Sequence, residues 1–372
     1  MTTLAELRQY EEKGFEVLKE LIEQDKIERK DRSPRKWGVP EVAEMLGRSE
    51  KWLRANSDHI EISGNGRRYY TLEEVADIRE ANELSFKKPE GSKAIIKTVI
   101  NFKGGVGKST TTLHEAHYMA TYKGMKVLII DMDPQGSSTF CIGSMIPDVD
   151  VKEEDTILKA MTNNPTDCAD IFISSYIPGV DFVPSGLAMQ ALEGKLLTSS
   201  EEDNARLGSP HARLEKVLSM VDEYYDLILI DCPPAMGMVS SNAMFASSHI
   251  LVPIPPSLYD VGSAVMLNST IADYLEAIGR DHIEHRIVIT KDGQTATSKR
   301  NESKIREVFV KSVYANTVIQ TTEFDKASES FTTVYDINRN LTSKKTYERA
   351  IECLNAFHEE VFEDYMKVFK EA

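Results

Sequence analysis

Residues 101–110 read NFKGGVGKST, and their types and spacing suit one kind of chemistry, the grip on a polyphosphate. Gly104, Gly105 and Gly107 let the backbone N–H groups of the loop, with those of Val106 and Thr110, close around phosphate oxygens. The apolar run AIIKTVI ahead of the loop predicts a strand, and TTLHEAHYMA behind it a helix. A helix beginning near Lys108 points the positive end of its dipole at the same anion. Lys108 would then meet the β- and γ-phosphates and Ser109 would ligate Mg²⁺, so the expected cofactors are ATP or ADP with magnesium.

Two acidic places accompany the loop. In VLIIDMDPQGSST, Asp131 and Asp133 stand two apart and share a face if the strand continues. They would emerge beside the phosphates, although a turn with solvated carboxylates fits the same residues. In YDLILIDCPPAMG a buried strand ends in Asp231, which is placed to hold a magnesium-bound water.

The elements that must position these groups follow from periodicity. The runs AIIKTVI, VLII, FVP, LILI, HILVPI, RIVIT and ANTVIQ alternate with helical stretches, which predicts an α/β fold with a mostly parallel sheet covered on both faces. Ligands of such sheets bind at the carboxyl ends of the strands. Ahead of this domain, residues 4–30 have helical spacing, with Leu4, Leu7, Phe15, Leu18, Leu21 and Ile22 in one stripe that needs a partner. GVPEVAEMLGRSEKWLRAN reads as helix, turn at Gly47, helix, with Pro40 in a first turn and Ser49 as a cap. HIEISGNGRRYYT reads as a hairpin turning at Asn65-Gly66. TLEEVADIREANEL reads as a further helix with a Thr71–Glu74 capping box. The expected division is 1–36 for the dimerisation helix and a basic segment, 37–84 for a winged helix-turn-helix, 85–93 for a linker and 94–372 for the ATPase.

The sequence KGGVGKST is the signature of the deviant Walker A ATPases, the group that holds ParA and MinD, and the resemblance spans roughly residues 94–370. It implies a P-loop NTPase fold. In that family the lysine matching Lys103 reaches across a nucleotide-sandwich dimer to the partner's phosphates. The residue matching Asp133 orients the attacking water, and the one matching Asp131 lies by the magnesium shell. DPQG favours the ParA branch. VIQTTEFDKASESFTTVYD is similar to the late ParA segment that frames the adenine, without the arginine many short ParA proteins carry there. RRYYTLEEVADIR resembles the wing-to-helix junction of MerR-like DNA-binding domains. An N-terminal helix and winged domain ahead of the ATPase are the plan of the large plasmid ParA proteins.

That resemblance implies a slow ATPase of plasmid partition, homodimeric and cytoplasmic, associated with the nucleoid and stimulated by a ParB-type partner. It also implies two DNA activities, operator binding with repression of its own operon and ATP-dependent non-specific binding. For the operator, Arg48, Lys51 and Arg54 on the second helix and Arg67 and Arg68 on the hairpin are the candidates; a protein-docking module with a charged face fits the same pattern. For bulk DNA, Lys299 and Arg300 lead, with Lys304, Arg306, Lys344 and Lys345 behind them; a solubilising helix carries such lysines too.

The 372 residues carry a net charge of −15, which as an average argues against nucleic acid and makes local basic stretches such as KIERKDRSPRK the ones that matter. The four cysteines, Cys141, Cys168, Cys232 and Cys353, have no paired spacing, which excludes a disulfide frame or a zinc site, and Cys232 in DCPP does not fit a cluster-bearing reductase. A membrane-cycling ATPase like MinD would need a basic amphipathic C-terminus, whereas IECLNAFHEEVFEDYMKVFKEA has an acidic polar face. An ATP-tuned transcriptional regulator stays open.

Overall fold

The computed structural model describes residues 2–31, 35–60, 62–63, 66–143, 145–147, 149–163, 166, 168–337 and 342–371. The N-terminal helix runs Leu4–Asp31. Leu4, Leu7, Val17 and Leu21 stand exposed along it and Phe15 is half-buried; the side chains of Leu18 and Ile22 lie outside those described.

The next unit opens with β1 (Trp37–Gly38), then helices Val39–Met45 and Glu50–Ala55, β2 (Tyr69–Tyr70) and helix Leu72–Ala81. Local chemistry accounts for its joints. Gly47 turns with φ +61°. The Ser49 hydroxyl accepts from the Trp52 N–H at 3.2 Å, and Thr71 and Glu74 cap each other's backbone amides. The expected hairpin is short, closed by the Ser63 N–H on the Arg67 carbonyl at 2.9 Å. Ile62 and Arg68 form a single bridge, and Tyr69–Tyr70 pairs instead with Trp37–Gly38. Tertiary burial decides this pairing, since Trp37 and Tyr70 are fully enclosed and Tyr70 shares a 2.8 Å hydrogen bond with Ser57. Asn65 of the proposed turn lies outside the described residues.

Residues 85–93 have no regular structure, yet they are docked. Phe86 packs edge-on against Phe362, and the Lys88 ammonium donates to the carbonyls of Asp222 and Tyr225, both at 2.7 Å. Arg79 is buried without a carboxylate. It donates to the carbonyls of Met45, at 2.8 Å, and of Thr121, so one cation joins the helix-turn-helix unit to the end of the helix after the phosphate loop.

The larger domain is built on β3 (Ile95–Val99), β4 (Val127–Asp131), β5 (Ile173–Ser174), β6 (Val180–Val183), β7 (Leu227–Asp231), β8 (His249–Ile254) and β9 (Glu284–Ile289). Their order is β5-β6-β4-β7-β3-β8-β9, parallel except for the edge strand β5. β4 and β7 are buried at every position, as strands covered on both faces must be. ANTVIQ is not a strand. Its second half lies along the end of β9 through the bridge Asp292–Ile319 and the Val318 and Gln320 amides, while the Ala315 and Asn316 amides donate to Glu360 of the C-terminal helix. The C-terminal helix Lys344–Glu371 turns Tyr347, Ala350, Leu354, Phe357, Val361, Tyr365 and Phe369 into the core. Its apolar stripe is therefore covered by its own chain. No helix among the described residues is long and apolar enough to cross a membrane.

Histidines are buried in this core, and burial pushes His114 down to about 4 and His249 down to about 3. Both are neutral in the fold, whereas the unfolded chain takes up a proton at 6.5. The fold thus keeps its full stability above that pH and loses it as pH falls, by about 1.4 kcal/mol per pH unit per histidine until the folded-state value is reached. Urea unfolding between pH 7 and 5 is expected to show a steep fall, shallower in His249→Asn. A slope unchanged by that substitution would mean that His249 is not buried neutral.

Candidate functional site

β3 delivers the chain into the loop, and two side chains, Asn101 of the loop itself and Thr290 from just beyond β9, hold it there. The Asn101 amide donates to the Pro253 carbonyl at 2.9 Å and its oxygen accepts from the Lys103 N–H. The Thr290 hydroxyl donates to the Val106 carbonyl at 2.8 Å. Val106 itself is buried, so this residue offers the loop its backbone alone. Gly105 and Gly107 have φ of +72° and +100°, conformations that a side chain would strain. Helix Lys108–Thr121 starts at the loop's end, with its first N–H groups facing the space above.

That space is a cavity of about 560 Å³, lined by Gly104, Gly105, Gly107, Lys108, Ser109 and Asp133 among others. Two cavities of about 640 and 610 Å³ lie between the N-terminal unit and the larger domain, but neither has a phosphate cradle. Lys108 is 6% exposed, and burial holds its ammonium below the usual range while Asp231 and Asp133 pull it back up.

Register brings the carboxylates together. Asp131 and Asp231 are direct partners at the carboxyl ends of β4 and β7. Asp131 accepts from the Thr139 N–H at 2.8 Å and hydroxyl at 2.7 Å, and from the Asp133 N–H at 3.1 Å. Burial, and then the charge of Asp231, push its pKa well up. Asp231 accepts from the Ser138 hydroxyl at 2.7 Å; burial pushes it up to about 6, against the pull of the Ser109 and Ser138 hydroxyls. Its Oδ1 is buried without a hydrogen bond. A group of aspartates with an orphaned oxygen beside Ser109 fits a divalent cation. No group of three His, Cys, Asp or Glu among the described residues forms a metal cage, so the ion would need phosphate oxygens and water to complete its shell, as magnesium does.

Lys103 points elsewhere. Its ammonium pairs with Asp260 Oδ1 at 2.6 Å, at the start of helix Leu258–Ala277, where the Ser257 hydroxyl donates to the other oxygen. Beside the phosphate cavity, Thr110, Thr111, Val318, Ile319, Gln320, Thr321 and Phe324 line a second space of about 180 Å³, at the segment expected to frame a base.

The basic residues divide. Arg48, Lys51 and Arg54 are exposed on the helix-turn-helix unit, Arg54 pairing with Glu50 at 2.8 Å, and Arg67 is exposed beside them. Arg68 is turned inward, donating to the Arg54 carbonyl at 3.0 Å and to Ser57. Lys299, Arg300 and Lys304 are exposed on helix Ala296–Phe309, whereas Arg306 is held by Glu302 and the carbonyls of Tyr314 and Ala315. Lys344 and Lys345 are exposed. In the basic segment KIERKDRSPRK, Arg35 lies over the rings of Trp37 and Tyr347 and pairs with Glu41; residues 32–34 are outside the described residues. Sequence reasoning missed Asn101, Ser138, Thr139 and Asp260, whose partners are brought to them only by the fold.

A strand, a glycine loop and a helix, with aspartates ending the neighbouring strands of a parallel sheet, define a P-loop nucleotide-binding protein. A family model described as an AAA domain matches residues 93–284, just over half of the chain. The chain belongs to that family and, within it, to the ParA-type ATPases. It is 28% identical to a putative replication protein A of Rhizobium rhizogenes over 88% of this chain and 86% of that protein. It is 29% identical to the protein SopA of Escherichia coli K12, over 81% of each. Among solved structures, one titled Partition Protein superimposes over 98% of this chain and 99% of its own with a TM-score of 0.65 at 19% identity. The complex of Cyanothece McdA with ATP covers 73% of this chain and 97% of its own, with a TM-score of 0.59 at 21% identity.

Proposed function

We propose that this protein is a plasmid-partition ATPase whose ATP-bound dimer binds DNA and whose hydrolysis, stimulated by a ParB-type partner, resets it. The observation that carries the reading is the place of Lys103. Its ammonium is held by Asp260 at the loop's mouth instead of turning into the cavity of its own chain. A cation so placed is free to serve a second copy's phosphates.

Lys108 and the loop amides would hold the β- and γ-phosphates. Ser109 and Asp231, the latter through water, would hold magnesium, with Asp131 beside them; the ion neutralises charge that develops on the phosphoryl oxygens. Asp133, whose Oδ1 is fixed by the Gln135 N–H at 2.9 Å, is positioned to orient a water. In-line transfer needs little more than these cations and an oriented nucleophile, so a monomer lacking the partner's Lys103 is slow.

The N-terminal helix, with Leu4, Leu7 and Leu21 exposed on its apolar stripe, suits a homodimer contact. The helix-turn-helix unit is read as a winged domain that binds the operator through Arg48, Lys51, Arg54 and Arg67 and represses the operon. Arg68 serves this surface by bracing it. Lys299 and Arg300, with Lys304, are read as the non-specific DNA surface, and the protein as a cytoplasmic, nucleoid-associated one. The covered C-terminal helix favours DNA over a lipid surface as its platform.

Fluorescence anisotropy with a random-sequence duplex tests this. Salt-sensitive binding is expected with ATP and not with ADP, and it should vanish in Lys108→Ala. Binding indifferent to nucleotide would leave an ATP-tuned repressor as the better account.

A further inference from the structure

The loop that follows Asp231 runs Cys232–Gly237 and ends at helix Met238–Ala246. Pro234 of this loop lines the phosphate cavity. The helix starts with no cap of its own, because its N-cap is Gly237. The cap comes from another element. Glu193, on helix Gln190–Leu197, accepts from the Met238 N–H at 2.9 Å through Oε1 and from the Val239 N–H at 3.3 Å through Oε2.

The glycine leaves the Glu193 carboxylate its place. Its φ is −159°, which any residue adopts, but a Cβ on it would lie 2.7 and 2.8 Å from the two Glu193 oxygens. The two helices share one core, Leu192 and Leu196 lying buried with Met238 and Val239. From the first turn of the helix, the Ser240 hydroxyl donates back to the Ala235 carbonyl of the loop at 2.6 Å. One end of the loop is therefore fixed by β7 through Asp231, and the other by a carboxylate from a separate helix.

We propose that Glu193 is a positioning residue for ATP hydrolysis, holding the 232–237 loop in shape by capping the helix that follows it. The inference rests on the ATPase reading above. Losing a charged cap at a helix N-terminus lets the first turn fray, and the loop attached to it loses its fixed end.

The test is a cap swap in the full chain, with kcat for ATP, Kd for ADP and hydrogen exchange of the Met238 and Val239 amides read together. Glu193→Ala is expected to lower kcat about 10-fold, with Kd for ADP within about threefold, and to expose both amides. Gly237→Asp alone sets two carboxylates against each other and also lowers kcat. In the double variant, Asp at 237 has the vacated space and an extended backbone, and it caps its own helix; kcat should return to within about threefold of the starting value. A double variant no better than Glu193→Ala, or a kcat indifferent to Glu193→Ala, overturns the proposal. A starting chain with no ATPase above Lys108→Ala overturns the ATPase reading and this inference with it. In that case the exchange data still say whether the cap exists.

Discussion

Lys108→Ala is expected to weaken ATP binding about 100- to 1,000-fold and to remove hydrolysis with it. The loop amides survive the substitution, so the loss measures the ammonium alone. Two charge-assisted contacts to phosphate oxygens contribute about 3–4 kcal/mol together, and each 1.4 kcal/mol is about tenfold in Kd. The site adds a second reason. Lys108 is the cation that faces Asp231 and Asp133, and Asp231 is already pushed up to about 6 by burial. Without the lysine the carboxylates lose their attraction to a cation, and a bound polyphosphate would face them directly. Calorimetric titration with ATP and ADP in the presence of magnesium reads the change, and circular dichroism checks that the chain is folded. Wild-type affinity in Lys108→Ala would mean that the glycine loop is not the phosphate site.

How much of this site was legible in the sequence depended on whether the partners were close along the chain. The strand–loop–helix frame was legible because the glycines, Lys108 and Ser109 lie within one turn, between a strand and a helix that announce themselves. Asp131 and Asp231 could each be read as a strand end. That they face one another is a matter of β4–β7 register, which no local pattern carries. Asp260 stands 157 residues from Lys103 and Glu193 stands 45 from Met238, so their types suggested nothing. Composition counts charges but not their partners. Arg35, Arg68 and Arg306 belong to basic stretches, yet each turns its guanidinium to ring faces, carbonyls or a carboxylate within the fold. The hairpin is short, and Tyr69–Tyr70 beyond it pairs elsewhere, for a related reason. Its turn signal was local, while the best burial for Tyr70 lay beside Trp37, more than thirty residues away. In ANTVIQ, β-branched residues suggested a strand, but only its second half pairs with the end of β9, and the Ala315 and Asn316 amides go to a carboxylate on the C-terminal helix.

Lys103→Ala is expected to lower kcat about 100-fold or more while leaving Kd for ADP within a few-fold of its starting value. The split follows from geometry. The ammonium pairs with Asp260 and makes no contact with the cavity of its own chain, so ground-state nucleotide binding owes it little. A cation inserted into a neighbour's site acts only once two copies meet, and trans-acting cations of this kind contribute 10³–10⁵ in kcat when they are arginines; a lysine, as a point charge without a fork, should contribute less. The Asp260 pair is a weak latch. The Lys103 side chain is 47% exposed although Asp260 is buried, so water screens the lysine end of the pair, and a partner's phosphates can outbid it. Asp260→Asn should therefore act in the opposite direction, raising the ATP-dependent dimer fraction about two- to fivefold, while its amide oxygen can still accept from Ser257. Light scattering with ATP gives the dimer fraction, and steady-state kinetics gives the split. If Lys103→Ala instead weakened ADP binding as much as it slowed turnover, the lysine would belong to its own chain's site, and neither the dimer-gated rate nor the latch would survive.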